Sequence, residues 1–265
     1  MKYFLLIFLC SIHPAFSASE NTSTAPARKQ SLVSDETDKT MPPKWLKPYV
    51  AHYRVYRGGD KKGKVTRELS VKQNLWTLTS YSKVSVFLFS DKRTEITTFR
   101  WEDSSLKTLS YIYQIKNSFS KKKTEEYFDW RLKIIRGHRD KKLNWQIPLE
   151  DNVYNPLSYQ LAIRQQLMEF NTDKDKKITL PQKLTLKVSA KGVVKERVFL
   201  IENEESIKTA DGIFDAVKIT RENGTRTTTF WMAKKLNYIP IKIYQEKEGK
   251  EQATMVLSDI KFNIK

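Results

Sequence analysis

The chain holds a single cysteine in 265 residues, and that residue, Cys10, falls inside a segment that reads as an export signal. The exported remainder therefore has no disulfide, no thiolate metal site and no cysteine nucleophile. Histidine is almost as scarce. His52 and His138 are the only two beyond the signal, and neither has a second ligand at metal spacing. No G-x-S-x-G elbow occurs to support a serine hydrolase. Asn171, Asp173 and Asp175 imitate the opening of a calcium loop, but Lys176 stands where that loop needs glycine and Gln182 where it needs the bidentate acid. That stretch reads instead as the acidic cap of a turn. Long apolar runs are missing as well: Phe4 to Ile12 is too short for a membrane span of about 20 residues, and no later stretch reaches that length. No metal or cofactor is expected.

Acidic charge is also in short supply. Lys+Arg number 48 against 30 Asp+Glu, a formal net charge of +18, and Lys2 is the only charge in the signal. A field of that sign favours anionic partners. Export removes nucleic acid from reach, which leaves an anionic lipid or glycan of the cell envelope, or an envelope protein, with peripheral contact at a membrane surface. The alternative is a lysine-rich surface that is merely solvated, because the charges are scattered along the chain. Only Lys121-Lys122-Lys123 forms a block, and it is expected at a hairpin turn.

Three segments follow from composition. Residues 1–17 combine a positive start, an apolar run and small residues at Pro14-Ala15-Phe16-Ser17, the pattern of a cleaved secretory signal that delivers a protein to the periplasm. Phe8-Leu9 before Cys10 are unsuited to lipidation. Residues 18–44 are almost devoid of apolar side chains and are expected to be a disordered linker. Trp45 and Leu46 are expected to pin it to a single β-barrel-like domain over residues 45–265.

Within that domain apolar residues alternate with polar ones. Tyr49, Ala51, Tyr53 and Val55 share one face of a first strand, Leu69 and Val71 follow on a second after the Arg57–Lys64 turn, and Trp76, Leu78 and Ser80 oppose Thr77, Thr79 and Tyr81 on a third. Further strands are predicted at 94–102, 106–118, 125–136, 183–190, 194–202, 212–222, 225–233, 238–247 and 254–264. Asn223-Gly224 marks a tight hairpin. The fold class is mainly β: about a dozen antiparallel strands with no interleaved helices form one strongly curved sheet, a barrel or half-barrel. One helix covers it, over about 156–170, with Asn155 as N-cap and Pro156 in its first turn. Its apolar residues flank Gln160 and Arg164, which turns Arg164 inward. A buried arginine needs a partner, and Asp129 is the expected one. Direct contact between Arg164 and a ligand is the other reading.

The segment Arg226 to Glu246 raises a second candidate site. Trp231, Tyr238 and Tyr244 stand beside Lys234, Lys235 and Lys242, an amphipathic rim suited to an anionic headgroup. A plain core hairpin, edge or bulged at Pro240, is the competing reading.

Together, "DNVYNPLSYQLAIRQQLM", "GIFDAVKIT" and "TTTFWMAKKLNYIPIKI" resemble the bacterial exported family known as domain of unknown function 3108. The pattern falls on Ser158, Arg164, Gly212, Trp231, Ala233, Tyr238 and Pro240. Asp175-Lys176-Lys177 departs from the Asp-Gly-Lys turn that the family leads one to expect. The resemblance implies fold and location but no chemistry. By analogy it also implies a half-barrel similar to those of periplasmic lipoprotein carriers. The sequence thus supports a non-enzymatic periplasmic protein that binds an amphipathic or anionic envelope component. Two other readings stay open: a structural or assembly factor with a filled core, and a carboxylate-dependent hydrolase.

Overall fold

The structure is a computed structural model and describes residues 41–86, 89–140, 143–172 and 182–262. The signal, most of the linker and the Asp173–Lys177 turn lie outside the described residues.

Alternation of buried and exposed side chains builds the first half of the sheet: β1 (Tyr49–Arg57), β2 (Asp60–Lys72), β3 (Leu75–Val86), β4 (Phe89–Glu102), β5 (Ser105–Asn117), β6 (Lys121–Asp129), β7 (Ile134–Arg139) and β8 (Leu143–Pro148). A two-residue strand β9 (Val153–Tyr154) leads into helix α1 (Tyr159–Thr172). The second half follows as β10 (Gln182–Ala190), β11 (Val193–Thr209), β12 (Gly212–Asn223), β13 (Arg226–Ala233), β14 (Ile239–Lys247) and β15 (Lys250–Phe262). All belong to one 15-stranded sheet in which β1 pairs with β15, so each half is a meander running outward from that central pair. Every pairing is antiparallel except β9 with β10.

Glycine is scarce, so polar residues make many of the turns. Gln73-Asn74 and Asp103-Ser104 adopt positive φ in succession, the backbone of a type I′ hairpin turn, whose twist matches the strands it joins. The predicted strand over 125–136 is two strands. Asp129 Oδ1 accepts the backbone N–H of Leu132 at 2.9 Å and Lys133 has φ 54°, so the chain turns back between β6 and β7. A period of two cannot show a turn whose residues keep the phase, and β8 was missed for a similar reason, being short and partly polar.

The ladder does not close. Side chains stitch its two ends instead. Glu126 on β6 accepts the backbone N–H of Gly192, in the β10–β11 turn, at 3.2 Å and the hydroxyl of Ser189 at 3.3 Å. Lys187 pairs with Glu150. The Trp145 ring on β8 lies against Gly137 and Gly192, where a Cβ would come within 2.4 and 2.7 Å of it.

Inside the curve, residues 153–164 are buried on every side. The helix starts at Tyr159, later than the expected 156, and Asn155 caps the Pro156–Ser158 turn that leads into it: its Oδ1 accepts from the N–H groups of Leu157 and Ser158 at 2.9 and 2.8 Å. Tyr159 meets Phe199 and Phe230 from one half of the sheet, while Ser158 meets Thr108 from the other. The helix start is thus held within the concavity. Both sides mix apolar and polar residues: β11 to β15 bury Phe199, Ile219, Phe230, Ile241, Ile243 and Leu257 together with Arg197 and Thr229, and β2 to β4 bury Val65, Leu69, Trp76, Leu78 and Phe99 together with Arg67, Ser80, Arg93, Glu95 and Thr97, so the polar share is larger on β2 to β4.

Candidate ligand site around Arg164

Arg164 is 1% exposed and is among the largest fully buried side chains of the protein. Its Nε donates to the backbone carbonyl of Asn237 at 3.0 Å. Its guanidinium carbon lies 5.1 Å from the centre of the Trp45 ring and 5.8 Å from that of Tyr49. Both terminal nitrogens, Nη1 and Nη2, are buried and have no hydrogen-bond partner. The expected pairing with Asp129 is wrong, because that carboxylate caps the β6–β7 turn. No salt bridge to Arg164 occurs among the described residues. Two aromatic faces soften the charge, but they offer no acceptor in the plane of the guanidinium. Burial accordingly holds the Arg164 pKa below its ordinary value, against the opposing influence of Tyr49 and Tyr53.

One turn earlier on α1, Gln160 faces the same way. Its Oε1 accepts from Nη1 of Arg67 at 2.7 Å. Arg67 is itself buried, with its Nε unpartnered, and lies over the Tyr53 ring at 5.8 Å. Ala51 sits between Tyr49 and Tyr53 on this face of β1 and opposite Arg67 on β2. On β4 the buried acid Glu95 accepts from the hydroxyl of Tyr111 at 2.7 Å. Burial pushes its carboxyl pKa up, against the opposing influence of Tyr111, Arg67 and Arg93. Arg93 is spoken for by Asp91 at 2.6 Å.

The second predicted group divides. Trp231 and Tyr238 are buried, while Tyr244, Lys234 and Lys242 are partly covered and Lys235 is exposed. The Trp231 indole donates to Glu205 at 2.8 Å, Lys234 pairs with Glu204 at 2.7 Å, and Lys242 lies 4.4 Å over the Trp231 ring. The long strand β11 thus lays its own glutamates across these groups. Pro240 sits at a bulge opposite Met232, inside the sheet rather than at its edge. The Arg164–Asn237 bond ties the two predicted groups together, since Asn237 and Tyr238, both in the left-handed conformation, form the turn between them.

Sequence reading missed Arg67, although its two-residue spacing from Leu69 on the buried face of β2 was visible. It also missed the stacking of Trp45 on Arg164, which only the folded path of the linker's end creates.

The family profile for the proteins of unknown function DUF3108 matches residues 52–256. The chain belongs to that family. No curated protein matches the sequence. Among solved structures, a Bacteroides fragilis protein described as exported, with a YmcC-like fold, is similar at 11% identity and a TM-score of 0.29, over 80% of this chain and 95% of that one. A likeness that low carries no argument here. The DUF3108 residues of this chain are joined physically: Ser158 Oγ accepts the N–H of Asn155 at the helix start, Arg164 holds the Asn237 carbonyl, the N–H of Tyr238 reaches the Ala233 carbonyl at 2.8 Å, and Tyr53 donates to the Pro240 carbonyl at 3.0 Å.

Proposed function

We propose that this DUF3108 protein is an exported, non-enzymatic binder of an anionic, amphipathic component of the cell envelope, working in the periplasm. The observation that carries the reading is the Arg164 guanidinium, buried with two unpartnered nitrogens and without a carboxylate among the described residues. A charge taken out of water and left without a counter-charge costs several kcal/mol, and an anionic group brought by a ligand would offset that cost. Arg67 and Gln160 extend the same polar wall, and the more apolar wall of β11 to β15, interrupted by Arg197 and Thr229, suits the other end of an amphipath. Trp45 lies against the guanidinium at 5.1 Å. His52 contacts Thr66 and His138 contacts Glu125 on separate strands, which supports a binder over a hydrolase.

Native mass spectrometry of the protein purified from its own host tests this. The expected result is a copurified acidic amphipath, retained by wild type and lost from Arg164→Met. A wild-type protein free of any adduct under gentle conditions would instead favour an assembly factor with a filled interior.

A further inference from the structure

On the convex side, the register of the first six strands brings together cations that are far apart in sequence. Arg54 on β1 stands opposite Lys64 on β2, Lys64 opposite Lys83 on β3, Lys83 opposite Lys92 on β4, Lys92 opposite Lys116 on β5, and Lys116 opposite Lys121 on β6. All six are exposed. At about 4.8 Å between strands the row is about 24 Å long. Like charges directly opposite one another destabilise a sheet, and here that arrangement recurs at five consecutive strand pairs. The acids at the neighbouring hairpin ends do not relieve it: Asp60 pairs with Lys62 and Asp91 with Arg93. At the end of the row, in the β5–β6 turn, Phe119 is 74% exposed.

We infer that this cationic row with Phe119 is a docking surface for an anionic phospholipid bilayer. The inference rests on the proposal that the partner is an anionic envelope component, and it assigns the approach to that partner to the hairpin ends of β1 to β6 rather than to the Trp231 hairpin. The chemistry fits a bilayer on two counts. Lysines near an anionic leaflet are drawn to lipid phosphate, and an exposed aromatic beside them suits the boundary between headgroups and acyl chains. The row curves with the sheet, and its side chains spread outward on the convex face, which lessens their mutual repulsion and lets them span many separate headgroups. A straight polyanion would have no use for Phe119.

The test compares Lys83→Ser/Lys92→Ser/Lys116→Ser with Lys183→Ser/Lys195→Ser/Lys208→Ser, an equal loss of exposed charge on the other half of the sheet. Binding is measured to vesicles of phosphatidylglycerol and phosphatidylcholine, and to phosphatidylcholine alone. Each lysine near such a surface contributes about five-fold, so the row variant should bind about 100-fold more weakly. The control variant should lose far less. Wild-type binding should vanish in about 1 M salt, where screening shortens to about 3 Å, and Phe119→Ser should weaken binding without changing the salt dependence. The row variant should also unfold at slightly higher urea, since opposed charges have been removed, which shows that it folds. Equal losses in both variants, equal binding to neutral vesicles, or row-dependent binding to dextran sulfate without binding to vesicles would overturn the proposal. Native mass spectrometry of the row variant separates the two readings: an adduct retained while docking is lost leaves both standing, whereas docking by a protein that carries no adduct supports the surface alone.

Discussion

Replacing Arg164 by methionine removes a charge while keeping most of the volume, and the structure allows the outcome to be worked through. The loss comprises the charged hydrogen bond to the Asn237 carbonyl, about 1.5–3 kcal/mol, and the stacking on Trp45 and Tyr49, about 0.5–2 kcal/mol. Against this stands relief of an uncompensated buried charge, several kcal/mol in the opposite direction. The two nearly cancel, so Arg164→Met in ligand-stripped protein should unfold within about 2 kcal/mol of wild type by urea titration. Arg164→Lys should be worse than methionine, because it keeps the charge, cannot reach Asn237 in the same geometry and stacks poorly on aromatic faces. That order, methionine above lysine, is the signature of a buried charge with no partner in the chain. A loss above about 4 kcal/mol in the methionine variant, with lysine retaining stability, would mean that the chain supplies a carboxylate to Arg164 and would refute the argument.

Other perturbations probe neighbouring parts. Glu95 has its pKa raised in the fold chiefly by burial, so the native state binds the proton more tightly than the unfolded chain; wild-type stability should fall as pH rises from the ordinary glutamate value to the raised one. Glu95→Gln should remove that slope in urea titrations between pH 4 and 8, and a variant that loses more stability at neutral than at acid pH would contradict it. Gly137→Ala should cost about 1–3 kcal/mol by overpacking, because the Trp145 ring is confined by Gly192 on its other side; in a Trp145→Ala background the cost should largely disappear, and a cost that persists would point to the backbone instead. Asn155→Ala should cost about 1–2 kcal/mol through loss of the helix cap, with more from the hydroxyl of Thr97, to which Asn155 donates at 2.7 Å; unfolding unchanged by the substitution would show the cap to be dispensable.

The strands were legible because a period of two is a strong signal where one face is buried, as with Tyr49, Ala51, Tyr53 and Val55. The helix was legible from Asn155 and Pro156. What failed was local, as at the β6–β7 turn, where Asp129 and Lys133 reverse the chain without breaking the alternation. The candidate site was only half legible. Arg164 and Gln160 stood out because apolar residues flank them on both sides of the helix. The lysine rim around Trp231 looked basic because Glu202, Glu204 and Glu205 lie some thirty residues earlier, and only the pairing of β11 with β12 lays them alongside.

The cationic row shows the opposite effect of the same topology. Its members looked scattered along the chain, spaced from Arg54 to Lys121, and became contiguous only through strand register. Arg67 on β2 and Arg93 on β4 face inward in the alternate phase to Lys64 and Lys92, so the same alternation places cations on both surfaces of this half of the sheet. Among the described residues acids pair with Arg93, Lys218 and Lys234, and none pairs with Arg164 or the convex row. A protein that lines up cations strand by strand across β1 to β6 carries a concentrated positive field on that face, and such a field turns it toward an anionic surface before contact. The first six strands would then meet the surface, and the concavity that holds Arg164 belongs to the same curved wall. The proposed docking outside and the part of the proposed charge capture that falls to Arg67 would then draw on alternate residues of the same strands, with Arg164 added from α1.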